Sequence, residues 1–157
     1  MMRPENALAA KLSRSKVSAS ELEDRLADAE AGIAAVAGGF AEWVARDLAA
    51  ARAELDRLEK GEGDARSVAA IFRTVHDIKG QGGTFGYRLA TAIAAPLCDF
   101  IRSATKAPTD AQLGIIKGHL MALDVVITKN IRGDGDETVR RVVEQLALAR
   151  SRVPPLS

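Results

Sequence analysis

Apolar residues recur along most of this chain at spacings of three and four, the period of a helix buried along one face. Leu22, Leu26, Ala29, Ile33 and Val36 form the first such stripe, behind Ser18 or Ser20 as candidate N-caps. Gly38-Gly39 interrupts it, and Val44, Leu48, Ala51, Leu55 and Leu58 resume it until Lys60-Gly61, a good stop. The spacing therefore predicts two helices here, with one long kinked helix as the alternative. Asp64 is placed to cap the next helix, whose stripe is Val68, Ile71, Val75, Ile78 and Gly82, ending at Phe85-Gly86. A fourth segment begins at Tyr87 and carries Leu89, Ile93, Leu97, Phe100 and Ile101, with Pro96 expected to kink it. After a loop at Thr105 to Pro108, Thr109-Asp110 caps a helix that should bury Leu113, Ile116, Leu120, Leu123, Ile127 and Ile131. The Gly133-Asp134-Gly135-Asp136 turn precedes a last amphipathic helix, Val139 to Ala149. The first few residues and Pro154-Pro155-Leu156-Ser157 are expected to fray.

No segment alternates apolar and polar residues for six positions, and aromatics make up only 4% of the chain. The fold class is therefore all-α. Short connections favour antiparallel neighbours, so we expect an up-down four-helix bundle over about 40–130, with helices near 40–60, 65–85, 88–104 and 110–130. Additional N-terminal and C-terminal helices, about 20–37 and 137–150, should pack on the outside or at one end. The 157 residues are read as a single domain with no linker.

Composition excludes several classes of function. Twenty-two Lys+Arg against 21 Asp+Glu leave a formal charge of +1, with no bulk pull towards nucleic acid or an anionic membrane surface. No stretch is expected to approach the ~20 apolar residues that a membrane helix needs. A secretory signal is not expected at Met1-Met2-Arg3-Pro4-Glu5-Asn6. Cys98 is the single cysteine, which excludes an intrachain disulfide and fits a reducing compartment. A cytoplasmic location is expected. With two histidines and one cysteine, a structural zinc site is disfavoured and no metal ligands are assigned. His119 has no ligand-spaced partner and is read as a solvated surface residue. Cys98 and Trp43 are read as packing residues.

The densest chemistry lies in His76-Asp77-Ile78-Lys79-Gly80-Gln81-Gly82-Gly83-Thr84-Phe85-Gly86. Helical neighbours lie three or four residues apart, so Lys79 and Gly80 flank His76 one turn on, and Gly83 follows a turn later. Each glycine costs a helix about 1 kcal/mol relative to alanine. Bare backbone beside an imidazole suits a histidine that something large approaches. His76 lies about 120° round the helix from the centre of the apolar stripe, by the ~100° per residue of helical geometry, beside the core and not in it.

This spacing resembles the signature of histidine-containing phosphotransfer (HPt) domains of bacterial two-component phosphorelays. His76, Lys79, Gly80, Gly83, Phe85 and Gly86 match that pattern, while Gln81-Gly82-Gly83 stands where the family often has serines and alanines. The resemblance implies that His76 accepts a phosphoryl group and passes it between aspartates of response-regulator receiver domains, fed by an upstream hybrid histidine kinase. Lys79 would offset phosphoryl charge. Gly80 and Gly83 would admit the partner, with Phe72 and Arg73 at the margin. The chain would be a stoichiometric phosphocarrier and not a multiple-turnover enzyme, with no cofactor of its own and Mg²⁺ held by the receiver. No ATP-binding domain and no α/β receiver pattern is recognisable in this sequence, so donor and acceptor are expected to be other proteins. Packing alone offers a competing account: the glycines could merely let helices approach near Ala92, Ala95 and Pro96. The rival function is a helical adaptor that binds a signalling partner through the same face without phosphorylation.

Overall fold

The computed structural model describes residues 18–157, and these form five α-helices with no strand among them. We number them α1 (Ala19–Glu59), α2 (Ala65–Gln81), α3 (Arg88–Ile101), α4 (Asp110–Thr128) and α5 (Glu137–Ser151). The contacts divide the chain into two units at the Gly38–Gly39 step.

From Gly39 onwards, four helices surround one apolar core. Val44, Leu48, Ala51, Leu55 and Leu58 of α1 join Val68, Ile71, Val75 and Ile78 of α2 in it. Leu89, Ile93, Leu97, Phe100 and Ile101 of α3, and Leu113, Ile116, Leu120, Leu123 and Ile127 of α4, complete the cluster. Each helix thus turns its expected stripe inward; of the α4 stripe only Ile131, beyond the helix end, remains half-buried. Cys98 is fully buried, and burial pushes its thiol pKa up, opposed in smaller part by the nearby Lys79 and Arg102 charges. Ion pairs Arg52–Asp124 (3.6 Å) and Glu59–Lys117 (3.5 Å) join α1 to α4 along their exposed edges.

Four helices start where their caps dictate. Ser18 Oγ accepts from the Glu21 N–H at 3.0 Å. Asp64 and Ser67 form a capping box on α2, as do Thr109 and Gln112 on α4. Asp136 accepts from the Val139 N–H at the start of α5.

Several expectations are corrected. The two helices expected between 20 and 60 are one 41-residue helix, α1. Gly38-Gly39 does not break it because the apolar stripe resumes in phase at Phe40 and Val44, and a glycine weakens a helix without forcing a turn. The N-terminal stripe was expected to be packed, yet every residue from Ser18 to Val36 is exposed. The second bundle helix ends at Gln81, short of Phe85, and residues 82–86 form turns. α4 reaches the length and mean hydropathy of a membrane span, contrary to the reading that no stretch does so. More than half of that window is buried in the bundle, and its Lys117 and Asp124 pair with α1, as suits a core helix.

His119 is corrected most sharply, being 1% exposed and not solvated. The C-terminal tail is not frayed either. Leu156 is buried, its N–H donates to Phe100 O at 2.9 Å, and Thr105 Oγ1 donates to Ser157 O at 2.9 Å. Gln112 Nε2 adds a bond to Pro154 O at 3.0 Å. The first few residues lie outside the described part of the chain.

Candidate functional site

The fourth and fifth turns of α2 carry His76 and Lys79, about one turn apart. Val75 and Ile78 on either side are 0% and 1% exposed and anchor this stretch to the core. Their burial fixes the rotation of the helix, which turns His76 outward: its side chain is exposed, and Lys79 is half-buried. The hydrogen bonds made by histidines among the described residues all belong to His119, so both nitrogens of His76 are left free there. Phe72, one turn earlier, packs partly into the core and places its ring 5.6 Å from the imidazole at 36°. It supports one side of the histidine without covering it. Arg73 is exposed on the adjoining turn, and no carboxylate pairs with it or with Lys79 among the described residues.

The glycines separate into two kinds. A Cβ on Gly80 would meet nothing within 4 Å, and one on Gly83 would only touch Thr91 Oγ1 at 4.0 Å. Packing therefore explains neither, and both are exposed, Gly80 one turn on from His76 and Gly83 just past the helix end. A Cβ on Gly82 would instead meet Thr91 Oγ1 at 2.7 Å and the Tyr87 carbonyl at 3.2 Å. The packing account thus holds for Gly82, where α3 comes against the end of α2, and fails for Gly80 and Gly83.

Beyond Gly82 the chain is held by contacts that sequence reasoning missed. Tyr87 N–H donates to Gly82 O at 2.7 Å, closing the turn. Gly86 has φ +88°, a conformation that disfavours a side chain, and a Cβ there would meet Arg132 Nη1 at 2.6 Å. Arg132 lies over the Tyr87 ring at 4.7 Å, and Tyr87 Oη donates to Asn130 Oδ1 at 2.6 Å. Phe85 stacks on Phe40 of α1 at 4.7 Å, and Trp43 sits 5.9 Å from Phe40. The turn after the histidine helix is thereby fastened both to α1 and to the segment following α4. Gly86-Tyr87 was the only local signal, and nothing in the spacing links it to positions more than 40 residues on.

The structure thus brings His76, Lys79, Gly80, Phe72 and Arg73 onto neighbouring turns of one helix, with Gly83 just past its end. No group of three or more His, Cys, Asp or Glu is placed to hold a metal ion among the described residues. Hollows of about 350 Å³ beside Pro96 and Arg150, and about 300 Å³ beside Ile93 and Val142, do not include His76. The histidine stands on an open helix face, which suits a macromolecular partner better than an enclosed small molecule.

The described residues form a helical bundle that displays an unbonded imidazole near a lysine and exposed glycines. The family model for the Hpt domain matches residues 19–125, and the chain belongs to that family, the histidine phosphotransfer domains of two-component signalling. Comparison with curated proteins and with solved structures finds no match.

Proposed function

We propose that this protein carries a phosphoryl group on His76 between aspartates of receiver domains. The observation that carries this reading is the pairing of an exposed, unbonded imidazole with a glycine, Gly80, whose missing side chain no internal contact requires. The lone pair of one ring nitrogen would attack the phosphorus of a receiver's aspartyl phosphate. An N–P bond forms as the P–O bond to the carboxyl breaks, and the carboxylate leaves with the electron pair. Transfer to a second receiver runs the same exchange in reverse. Lys79, free of any described carboxylate, offsets the charge of about −1.5 to −2 that a phosphoryl group carries near neutral pH. Phe72 limits the swing of the ring, and Arg73 is placed to meet acidic groups on the partner.

On this reading the chain is stoichiometric and needs no cofactor of its own, Mg²⁺ being held by the receiver. An upstream hybrid histidine kinase supplies the phosphoryl group in the cytoplasm. Incubation with a phosphorylated receiver domain tests it: an acid-labile, alkali-stable label should appear on the chain and vanish in His76→Gln. A label that survives in His76→Gln would sink the proposal. Stable binding to receivers with no label from any of them would favour the non-phosphorylated adaptor.

A further inference from the structure

In the first unit of the chain, no described residue covers the apolar stripe of the helix from Leu22 to Val36. Leu22 is 38% exposed, Leu26 56%, Ile33 64% and Val36 58%. This segment is the first half of the 41-residue α1, and Gly32 and Gly38 weaken it. Tertiary packing of an apolar face is what usually holds a helix, and among the described residues that face is uncovered.

The pattern on this helix identifies its occupant. Apolar residues fall at alternating spacings of four and three from Leu22 to Val36, a heptad seam with Leu26 and Ile33 at a and Leu22, Ala29 and Val36 at d. The residues flanking that seam are Arg25 at g and Glu23 and Glu30 at e. In a parallel pair, each g residue faces the e residue five positions on in the other chain, which sets Arg25 opposite Glu30 twice by symmetry. In an antiparallel pair e faces e, setting Glu23 against Glu30, while Arg25 faces only Gly32. Only the parallel arrangement is attractive in charge.

We propose that Ala19–Gly38 pairs with the same segment of a second copy of this chain, as a short parallel two-stranded coiled coil fixed in register by Arg25–Glu30 contacts. The seam spans only about two heptads and has a small residue, Ala29, at its centre, so the dimer should be weak and reversible, with a dissociation constant on the order of 1–100 µM. The association does not depend on phosphotransfer at His76 and should persist in His76→Gln.

Sedimentation of the full chain across that concentration range tests it. The wild type should shift from monomer to dimer, and Ile33→Asp should stay monomeric with its bundle intact by near-UV circular dichroism. Arg25→Glu alone should weaken the dimer about tenfold, by loss of two ion pairs and gain of like-charge contacts. Adding Glu30→Arg should restore it. In Val36→Cys, oxidation should link two copies through residue 36, the native Cys98 being fully buried. A monomer at every concentration would overturn the proposal, leaving the stripe to residues 1–17 or to a different helix. A dimer indifferent to Ile33→Asp, or one that neither cross-links through residue 36 nor is rescued by the charge exchange, would overturn it as well.

Discussion

The chain has two histidines, each on a helix, and their surroundings prepare them for opposite fates. His76 on α2 is exposed, with both ring nitrogens free among the described residues. His119 on α4 is 1% exposed and has both nitrogens engaged. Its Nδ1 lies 2.7 Å from the Ile115 carbonyl, and its Nε2 lies 2.9 Å from Arg150 Nη1 on α5. A carbonyl can only accept and a guanidinium can only donate, so Nδ1 carries the proton and Nε2 is bare. His119 is thus a neutral strut joining α4 to the C-terminal helix. Burial lowers its pKa from the usual 6.5, the Arg150 charge lowers it a little more, and the bond to Ile115 opposes both. The same imidazole is open to a partner where it is bare and a structural joint where it is buried; exposure and hydrogen-bond partners decide which.

The sharpest break between the two comes from substitution. His76→Gln should abolish labelling by a phosphorylated receiver while leaving the thermal midpoint nearly unchanged, since the side chain is exposed. His119→Ala should do the reverse. It leaves a void and strips Arg150 of its acceptor, and should lower stability by roughly 1–3 kcal/mol with labelling retained. Urea melts and a labelling assay on the same preparations check both.

The glycines sharpen the comparison at the next level of effect. Gly80→Gln should fold as well as the wild type, glutamine being the better helix former. It should slow phosphotransfer roughly tenfold or more, the rate equivalent of losing at least about 1.4 kcal/mol of docking. Normal transfer in this variant would mean that receivers dock elsewhere. Gly82→Ala, two residues on, should instead destabilise the fold by about 1–3 kcal/mol, because its Cβ would press on Thr91 and the Tyr87 carbonyl. Lys79→Ala should leave the protein folded and slow labelling by about 1–3 kcal/mol of barrier, as for one charge-assisted bond to an anion. Loss of labelling as complete as in His76→Gln would make Lys79 a positioning group.

The smallest effect is on pH. The folded-state pKa of His119 lies below its unfolded value, so the unfolded chain takes up a proton first. Stability should therefore be fully present above about pH 6.5 and fall as pH drops from there towards the depressed folded value. Urea midpoints between neutral and mildly acidic pH should show this slope in the wild type and lose it in His119→Gln.

Much of this was legible in the chain. The stripes of all four bundle helices and the caps at Asp64 and Thr109 follow from residue spacing, because burying a face is a local, periodic demand. His76, Lys79, Gly80 and Gly83 are legible for the same reason: they are near in sequence and on neighbouring turns. What escaped were contacts between distant positions. His119 reads as solvated until α5 is seen to cover it, and the C-terminal tail reads as frayed until Phe100 and Thr105 are seen to bind it. Gly38-Gly39 misled in another way, since propensity records what glycine costs a helix and not whether the helix bears it. Nor could spacing separate Gly80 from Gly82; only the position of Thr91 does so.

Locating the phosphoryl group on the intact chain tests the central claim most directly. After brief exposure to a phosphorylated receiver, peptide mapping under alkaline, phosphoramidate-preserving conditions should find the modification on His76 and none on His119. Modification of His119, or of an aspartate with His76 unmodified, would contradict the account.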